Sequence, residues 1–263
     1  MMPKIVNRSS VSALARRRAS VHLTASMATL APSRAPLYAG HIPTTQFEKL
    51  QLALEALITA AKDPSRLDMI AMFGEVTGHN VLRSMHARML ADPAGQRLLH
   101  DKPRIRSEQV DIEYLRTLPH NTYGYAYAQF LDSNGYALDT WADVQRVDDV
   151  ELAYVMQRYR ETHNFNHVFY GVPTTVFGEF VIKYAEVVQT GLPLNTGITY
   201  VGWLKATPAE IALAWRELVP WAKRAGKKTS FLMNVAHEEE FETPLDELRA
   251  RLHIEVAPPF PAA

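Results

Sequence analysis

Apolar residues recur at helical spacing along most of the chain. Early in the sequence, Phe47, Leu50, Leu54, Leu57 and Ile58 follow one another at intervals of three and four residues. Such intervals are typical of one face of an α-helix. The segment Thr45-Gln46-Phe47-Glu48 carries the capping-box pattern with which a helix begins. This part of the sequence therefore predicts an α-helix that starts just after Thr45.

Proline directly after a capping residue marks three further helix starts, at Asp63-Pro64, Asp92-Pro93 and Thr207-Pro208. The first amides of a helix have no intrahelical partner, so the missing N–H of proline costs nothing there. Glu210 completes a capping pattern with Thr207. Asn134-Gly135 predicts a turn after the aromatic stretch Tyr123–Leu131.

Strand patterns are weak. Ser230–Val235 is the best short strand candidate, and residues 102–108 and 136–147 have the composition of loops. Helical patterns account for most of the remaining sequence. We therefore predict an all-α fold, a single and mainly α-helical domain that resembles a helical bundle.

The central segment predicts two helices joined by a short turn. Acidic residues at 148–151 lie where the helix dipole favours negative charge, and this first helix runs to about Phe169. A glycine and a proline then end it. The second helix begins near Thr174–Thr175 and ends at Gly191-Leu192-Pro193. A connection this short favours an antiparallel helical hairpin.

This hairpin carries a candidate metal site. His163 and His167 are four residues apart, so both imidazoles lie on one face of the first helix. In an antiparallel hairpin, Glu179 of the second helix comes level with them. Two nitrogens and one carboxylate oxygen could then bind a divalent cation and leave positions open for water or substrate. Asn164 stands where a metalloprotease has its general base, which argues against that class. Paired histidines in a helical domain without a metal remain an alternative.

Charge divides the chain into two parts. The total is balanced, with 28 basic and 28 acidic residues, but no acid precedes Glu48. Residues 1–34 are rich in Ser, Ala and Arg, which is the composition of a mitochondrial transit peptide. We predict a disordered leader at 1–34, cleaved between residues 25 and 36, and a helical domain at 35–263. A basic tail without an import role is the alternative.

The part of the chain after the leader is acidic and has no cysteine. The 47 residues before Glu48 hold six basic groups, which leaves 22 basic against 28 acidic residues for the remainder. This balance gives no bulk positive charge to hold nucleic acid, and it argues against anionic lipid as the main anchor. Without cysteine, any metal must be bound by nitrogen or oxygen ligands. No apolar run reaches the length of about 18 residues that a transmembrane helix needs.

Several motifs outside the histidine pair carry a family resemblance over residues 37–260. They are Leu37-Tyr38-Ala39-Gly40-His41-Ile42-Pro43-Thr44, Asp63-Pro64-x-Arg66-x-Asp68-Met69, Gly74-Glu75-x-Thr77-Gly78, Glu151-Leu152-Ala153-Tyr154-Val155, Gln157-Arg158-Tyr159-Arg160-Glu161 and Val188-Gln189-Thr190-Gly191-Leu192-Pro193. Together they resemble the ubiquinone (coenzyme Q) biosynthesis family known as the fourth coenzyme Q protein. The metal signature of that family is His-Asp-x-x-His, eleven residues, and then Glu.

This chain matches the signature with one exception. It has His163-Asn164-Phe165-Asn166-His167, eleven residues, and then Glu179. The resemblance implies metal ligation by His163, Asn164, His167 and Glu179, with Asn164 in place of the family's Asp. An amide oxygen binds a cation more weakly than a carboxylate, so we expect the exchange to affect metal affinity or activity.

The resemblance also implies an activity and a location. The family acts on 4-hydroxy-3-methoxy-5-polyprenylbenzoate and removes its C1 carboxylate, as a simple or an oxidative decarboxylation with C1 hydroxylation. The implied cofactor is a divalent metal, with zinc first and iron or cobalt as alternatives. The implied place is the matrix side of the mitochondrial inner membrane, as a peripheral protein in a complex with other coenzyme Q biosynthesis proteins. A homodimer follows only by analogy.

Other polar and apolar groups are further candidates. Asp68 and Glu75 are two helical turns apart and could share a face, where they would orient the head group or supply a proton. An ion-pair network around Arg66 is the structural alternative. Aromatic residues near the site, among them Phe165 and Phe177, fit either a core or a path for the lipid tail. A non-catalytic, lipid-binding scaffold of the coenzyme Q complex stays open as the alternative function.

Overall fold

The helical prediction is confirmed. The computed structural model describes residues 35–63, 66–140, 142–192 and 206–260. Within these ranges the fold is all-α, and the single β contact is an isolated bridge between Thr122 and Pro244. The predicted leader at 1–34 lies outside the described residues. None of the described helices has both the length and the apolar character that crossing a bilayer requires.

Eleven α-helices lie within the described residues. In chain order they are α1 (Gln46–Lys62), α2 (Leu67–Thr77), α3 (His79–Leu90), α4 (Pro93–Asp101), α5 (Ile112–Thr117), α6 (Tyr123–Asn134), α7 (Val150–Tyr170), α8 (Val176–Thr190), α9 (Pro208–Leu213), α10 (Val219–Lys228) and α11 (Leu245–Arg251). A π-helical turn at Ala214–Leu218 continues α9 into α10, and short 3₁₀ turns occur at Leu138–Thr140, Leu232–Asn234 and His237–Glu239.

Most of the predicted helix starts are present. Thr45 and Glu48 form a complete capping box at α1, and Thr207 and Glu210 form another at α9. The Asp92 carboxylate accepts hydrogen bonds from the first amides of α4. These caps satisfy N–H groups that no helical carbonyl can reach.

Two local predictions are wrong. Asp63 does not start a helix; its N–H bonds to the Thr59 carbonyl and it ends α1, and the next helix begins at Leu67. Ser230–Val235 is not a strand but contains a 3₁₀ turn. The Gln189 amide explains the second case, because it donates to the Ser230 carbonyl at 3.1 Å and accepts from the Leu232 N–H at 3.1 Å. A side chain thus satisfies the backbone groups that a neighbouring strand would have bonded.

Helix α7 lies at the centre of the fold. Its residues are buried along almost the whole length from Leu152 to Tyr170. One apolar cluster surrounds its C-terminal half, with Phe165 and Phe169 fully buried, and a second surrounds its N-terminal half, with Val155 and Met156 fully buried. A helix buried on all sides loses the one-sided pattern of a surface helix.

Helix α1 packs on α2 through small residues. Ala53 and Ala56 of α1 form an apolar cluster with Met72 and Val76 of α2. Leu52 is half-buried against this cluster. Five other large apolar residues of α1, which we call the α1 stripe, are exposed: Phe47 by 69%, Leu50 by 59%, Leu54 by 53%, Leu57 by 45% and Ile58 by 55%.

Candidate metal centre

The predicted hairpin is present in α7 and α8. Asp149 caps α7, Thr175 caps α8, and Gly171 with φ 67° ends α7 at the turn. His167, which comes later in α7, contacts Glu179, which comes early in α8. His163, which comes earlier in α7, contacts Glu186, which comes later in α8. The helices are therefore antiparallel at the site.

The turn holds Glu179 close to α7. Gly178, the residue before it, has no room for a side chain, because a Cβ at this position would lie 2.0 Å from the Pro173 carbonyl oxygen. The turn can therefore fold back onto the first turn of α8 only with glycine there. This close approach sets the height at which the Glu179 carboxylate faces the histidines.

Three side chains point at one another from the two helices. His163 Nε2 lies 3.3 Å from Glu179 Oε2, and His167 Nε2 lies 3.2 Å from Glu179 Oε1. The two Nε2 atoms are 3.4 Å apart. Of the described residues, these three form the cluster of His and carboxylate groups whose donor atoms all lie within 4.8 Å. The structure thus brings together three of the four predicted ligands.

These separations suit a metal ion. With metal–nitrogen and metal–oxygen bonds of about 2.0–2.1 Å, the ligand atoms of a tetrahedral site are about 3.3–3.5 Å apart. The separation of the two Nε2 atoms, 3.4 Å, agrees with that edge length, and each Nε2 has one of the two Glu179 oxygens at 3.2 to 3.3 Å. Two imidazole nitrogens and one carboxylate oxygen are the donor set of catalytic zinc sites, which leave a fourth position open.

A backbone carbonyl orients His167. Its Nδ1 lies 2.9 Å from the Val172 carbonyl oxygen, which can only accept a hydrogen bond. Nδ1 therefore carries a proton, and Nε2 is the ring nitrogen that faces the site. Histidine ligands of metals are commonly held by such an acceptor on the second ring nitrogen.

A buried carboxylate orients His163. Its Nδ1 lies 2.6 Å from Glu186 Oε1, and this short separation requires the Nδ1 proton between the two atoms. Burial and the Lys183 ammonium lower the pKa of His163, but the Glu186 and Glu179 carboxylates outweigh both and leave the pKa raised. In the metal-free protein the ring therefore favours the charged form, and a cation at Nε2 would replace that proton.

Glu186 is held in turn by three donors. It accepts hydrogen bonds from Lys183 Nζ at 2.9 Å, from the Asn166 amide at 2.8 Å and from the Tyr159 hydroxyl. Burial raises the pKa of Glu186, but the charges of Lys183 and His163 outweigh it, and the pKa falls below its usual range. A buried carboxylate with this many partners stays ionised and fixed in position.

Glu179 is also ionised. Burial raises its pKa, but hydrogen bonds and charge from His163 and His167 hold the pKa well below the usual range. The Glu179 side chain is 33% exposed, whereas the side chains of His163 and His167 are 5% and 0% exposed. The site therefore opens to the outside on the Glu179 side.

The other predicted site residues are not part of the cluster of His163, His167 and Glu179. Asn164 follows His163 on α7 and is half-buried, and its role as a ligand stays a prediction. Asp68 is exposed and pairs with Arg66 at 2.7 Å. Glu75 is buried, pairs with Arg160 at 2.8 Å and accepts the backbone N–H groups of Gln145 and Arg146. The network around Arg66 thus includes Asp68, while Glu75 joins α2 to α7.

Sequence reasoning did not find the residues behind the histidines. Glu186, Lys183 and Tyr159 are buried and support His163, yet none of them was predicted. A pattern does exist, because Glu179, Lys183 and Glu186 recur at four and three residues in an otherwise apolar helix. That spacing places three charges on the face of α8 that meets α7.

The aromatic cluster beside the site is mainly core. Phe165 and Phe169 are fully buried, and Phe177 and Phe180 are 8% and 2% exposed. Val176 is 62% exposed. The four phenylalanines belong to the apolar cluster around the C-terminal half of α7.

Comparisons with known proteins identify the family of this chain. Residues 38–258 match the family described as coenzyme Q (ubiquinone) biosynthesis protein Coq4. A relative from Pyrenophora tritici-repentis, named ubiquinone biosynthesis protein coq4, mitochondrial, is 47% identical over 85% of this chain and 77% of its own length. A relative from Bos taurus, the mitochondrial COQ4 homolog, is 41% identical over 84% of this chain and 84% of its own length.

A solved structure shares the fold. The crystal structure of a candidate ubiquinone biosynthesis protein from Nostoc punctiforme matches 80% of this chain and 98% of its own, with a TM-score of 0.64 and 20% identity. At that identity the likeness concerns the fold alone. The family match covers most of the chain, including both helices of the candidate metal centre, and the chain therefore belongs to the Coq4 family of coenzyme Q (ubiquinone) biosynthesis proteins.

Proposed function

We propose that this protein is a metal-dependent lyase that removes the C1 carboxylate of 4-hydroxy-3-methoxy-5-polyprenylbenzoate. The observation that carries the proposal is the group of two buried histidines, His163 and His167, with the half-buried Glu179, whose donor atoms lie within 4.8 Å of one another. Its members are ionised or oriented in the way metal ligands require. Zinc is the metal that we propose first, with iron or cobalt as alternatives.

The proposed reaction breaks the bond between C1 and the carboxylate carbon. Electrons from the para-hydroxyl oxygen first make C1 basic enough to take a proton, which interrupts the aromatic ring. The bond to the carboxylate carbon then breaks, carbon dioxide leaves, and the bonding electron pair restores the aromatic ring with the new hydrogen on C1. A bound divalent ion would supply positive charge to anchor the substrate carboxylate or phenolate.

The chain's own residues hold that charge in place. Glu186 fixes the ring of His163 and Val172 fixes the ring of His167, so neither imidazole has to reorganise when substrate arrives. Glu179, being the accessible member, lies where a head group would enter.

We further propose a mitochondrial location, on the matrix side of the inner membrane, in a complex with other coenzyme Q biosynthesis proteins. The names of the relatives from Pyrenophora tritici-repentis and Bos taurus include the word mitochondrial, and this supports the proposal. The arginine-rich composition of residues 1–34 supports import in the same way.

The central test is turnover by purified protein. Metal-loaded and metal-stripped samples are incubated with a short-chain prenylated hydroxybenzoate, with and without dioxygen, and products are identified by mass. Loss of carbon dioxide in both atmospheres supports simple decarboxylation, and a C1-hydroxylated product formed only with dioxygen supports the oxidative form. Unchanged substrate in every sample would contradict the proposal that this protein removes the C1 carboxylate.

Matched variants tie activity to the site. Glu179→Gln should abolish turnover, while Glu247→Gln on the exposed surface of α11 should leave it intact. Asn164→Asp restores the family's residue and should raise metal affinity. Equal turnover by Glu179→Gln and Glu247→Gln would exclude the metal centre as the reaction site.

The α1 stripe favours a second candidate function, a non-catalytic scaffold that binds lipid and organises the complex. Replacing Leu50 and Leu54 by Gln should then disrupt complex assembly, whereas Glu179→Gln should not affect it. Loss of turnover without loss of assembly in Glu179→Gln would favour the enzyme.

A further inference from the structure

Helices α9 and α10 present a continuous outer face to solvent. The π-helical turn joins them without a break, so Pro208–Lys228 is one helical stretch. Its inner side is buried through Ala214, Leu218, Trp221, Ala222 and Ala225. The exposed residues, which we call the α9–α10 outer face, are Pro208, Ala209, Ala212, Trp215, Arg216, Glu217, Pro220, Lys223, Arg224, Lys227 and Lys228.

The two ends of this face differ in character. Its N-terminal half carries Trp215, which is 61% exposed, next to the exposed ion pair of Arg216 and Glu217. Its C-terminal half is basic, with Lys223, Arg224, Lys227 and Lys228 all exposed. Tryptophan at the level of the headgroups and lysines that reach the phosphates are both typical of protein surfaces that contact a membrane interface.

Most of the positive charge on this face is uncompensated. Arg216 pairs with Glu217 at 2.9 Å, and Arg224 pairs with Glu255 at 2.9 Å. Among the described residues, Lys223, Lys227 and Lys228 have no carboxylate within ion-pair distance. Five cations therefore meet two acids on this surface, in a chain whose part after residue 47 is acidic as a whole.

Local charge decides what such a surface attracts. Screening limits the reach of exposed charges to about 8 Å at physiological ionic strength, so distant acidic residues do not cancel this face. The net acidity that argues against an anionic-lipid anchor for the whole chain does not apply to the α9–α10 outer face.

We propose that the α9–α10 outer face docks on an anionic lipid bilayer, with Trp215 at the level of the headgroups and the lysines on their phosphates. The bilayer surface is the partner that offers both chemistries side by side, an apolar boundary for Trp215 and phosphates for the flexible ammonium groups. This inference rests on the proposed peripheral membrane location and identifies the protein surface that would contact the membrane.

The test is co-sedimentation with vesicles of phosphatidylcholine alone or mixed with phosphatidylglycerol. The full chain is used, with Arg16→Gln, Arg17→Gln and Arg18→Gln in every sample so that leader arginines do not supply the binding. Lys223→Gln with Lys227→Gln should bind the mixed vesicles about 30-fold more weakly, because each lysine near an anionic surface contributes about five-fold.

Three controls give the result its meaning. Arg83→Gln with Arg97→Gln removes the same charge from exposed positions on α3 and α4 and should bind as before. Lys223→Arg with Lys227→Arg keeps the charge and should also bind as before. Trp215→Ala should weaken binding to both kinds of vesicle. Thermal unfolding checks that each variant is folded.

Several outcomes would overturn the proposal. These are equal binding to neutral and mixed vesicles, binding that does not fall with added salt, or equal losses in the two charge-matched variants. Salt-dependent binding to polyglutamate or duplex DNA without binding to vesicles would assign the face to another polyanion. The measurement needs neither metal nor substrate, so its failure is distinct from failure of the proposed enzyme activity.

Discussion

Helices α1 and α7 bury opposite kinds of residue. α1 turns Ala53 and Ala56 toward α2 and exposes the α1 stripe. α7 buries charged side chains, among them Arg158, Arg160 and Glu161, along with its apolar ones. Helix α1 therefore exposes leucine side chains to solvent, whereas α7 buries arginine side chains.

The comparison shows that a side chain, charged or apolar, is buried where a neighbouring group bonds to it or packs against it. A buried charge is tolerated where an opposite charge and hydrogen bonds meet it, and Arg160 with Glu75 or Glu161 with Arg104 satisfy that condition. The alanines of α1 let two backbones approach closely. Leu50, Leu54 and Leu57 of α1 belong to none of the apolar clusters among the described residues, so they remain exposed.

The largest expected effect compares one phenylalanine from each helix. Phe165→Ala in α7 removes a fully buried ring and should lower the free energy of unfolding by about 3–5 kcal/mol. Phe47→Ala in α1 removes a ring that is 69% exposed and should change it by less than about 0.5 kcal/mol. Urea denaturation measures both, and similar losses would mean that the α1 stripe is covered in the isolated chain.

The second comparison concerns charges. Glu75→Ala leaves Arg160 buried without its carboxylate and should cost about 3–5 kcal/mol of unfolding free energy. Asp68→Ala breaks an exposed pair with Arg66 and should cost less than about 1 kcal/mol. The same denaturation experiment applies, and a small loss for Glu75→Ala would contradict a structural role and favour catalysis.

The third prediction concerns the support behind His163. Glu186→Gln removes the acceptor charge on Nδ1 and should weaken metal binding by about 10–100-fold. Competition with a chromophoric chelator measures the affinity, and circular dichroism confirms that the variant is folded. Glu247→Gln is the exposed control. Unchanged affinity in Glu186→Gln would mean that the ring of His163 is held by packing alone.

The smallest effect is a pH dependence from His237, which stacks on Phe165 of α7. Burial and the charge of Arg158 hold the pKa of His237 well below its usual value, so the folded protein keeps the ring neutral. Below a pH of about 6.5, His237 is protonated in the unfolded chain but stays neutral in the folded chain.

Stability should therefore fall as the pH drops below about 6.5, by up to about 1.4 kcal/mol per pH unit from this group. Urea denaturation at a series of pH values measures the slope. His237→Gln, whatever its absolute stability, should show a shallower slope over that range. Identical slopes would assign the pH dependence to other groups.

Local signals in the sequence accounted for much of the fold. The starts of α1, α4 and α9 and the hairpin of α7 and α8 follow from caps, glycines and spacing, which act within a few residues. The expectation that His163, His167 and Glu179 lie close together followed from the same helical spacing. These features require no knowledge of distant parts of the chain.

Features that depend on distant partners could not be predicted in this way. The exposure of Leu54 depends on which face of α1 meets α2, and the 3₁₀ turn at Leu232 depends on Gln189 of α8. Glu186 reads as an ordinary helical charge until His163 is known to lie against it. Tertiary contacts decide all three cases.

The hairpin has a consequence for the order of folding. The candidate ligands and the side chains that support them all come from the continuous segment between Tyr159 and Glu186. Short loops close sooner and at less entropic cost than long ones. We therefore expect the ligands to meet while the later helices are still unfolded, so that a metal ion arriving early would act as a nucleus around which the remaining chain assembles.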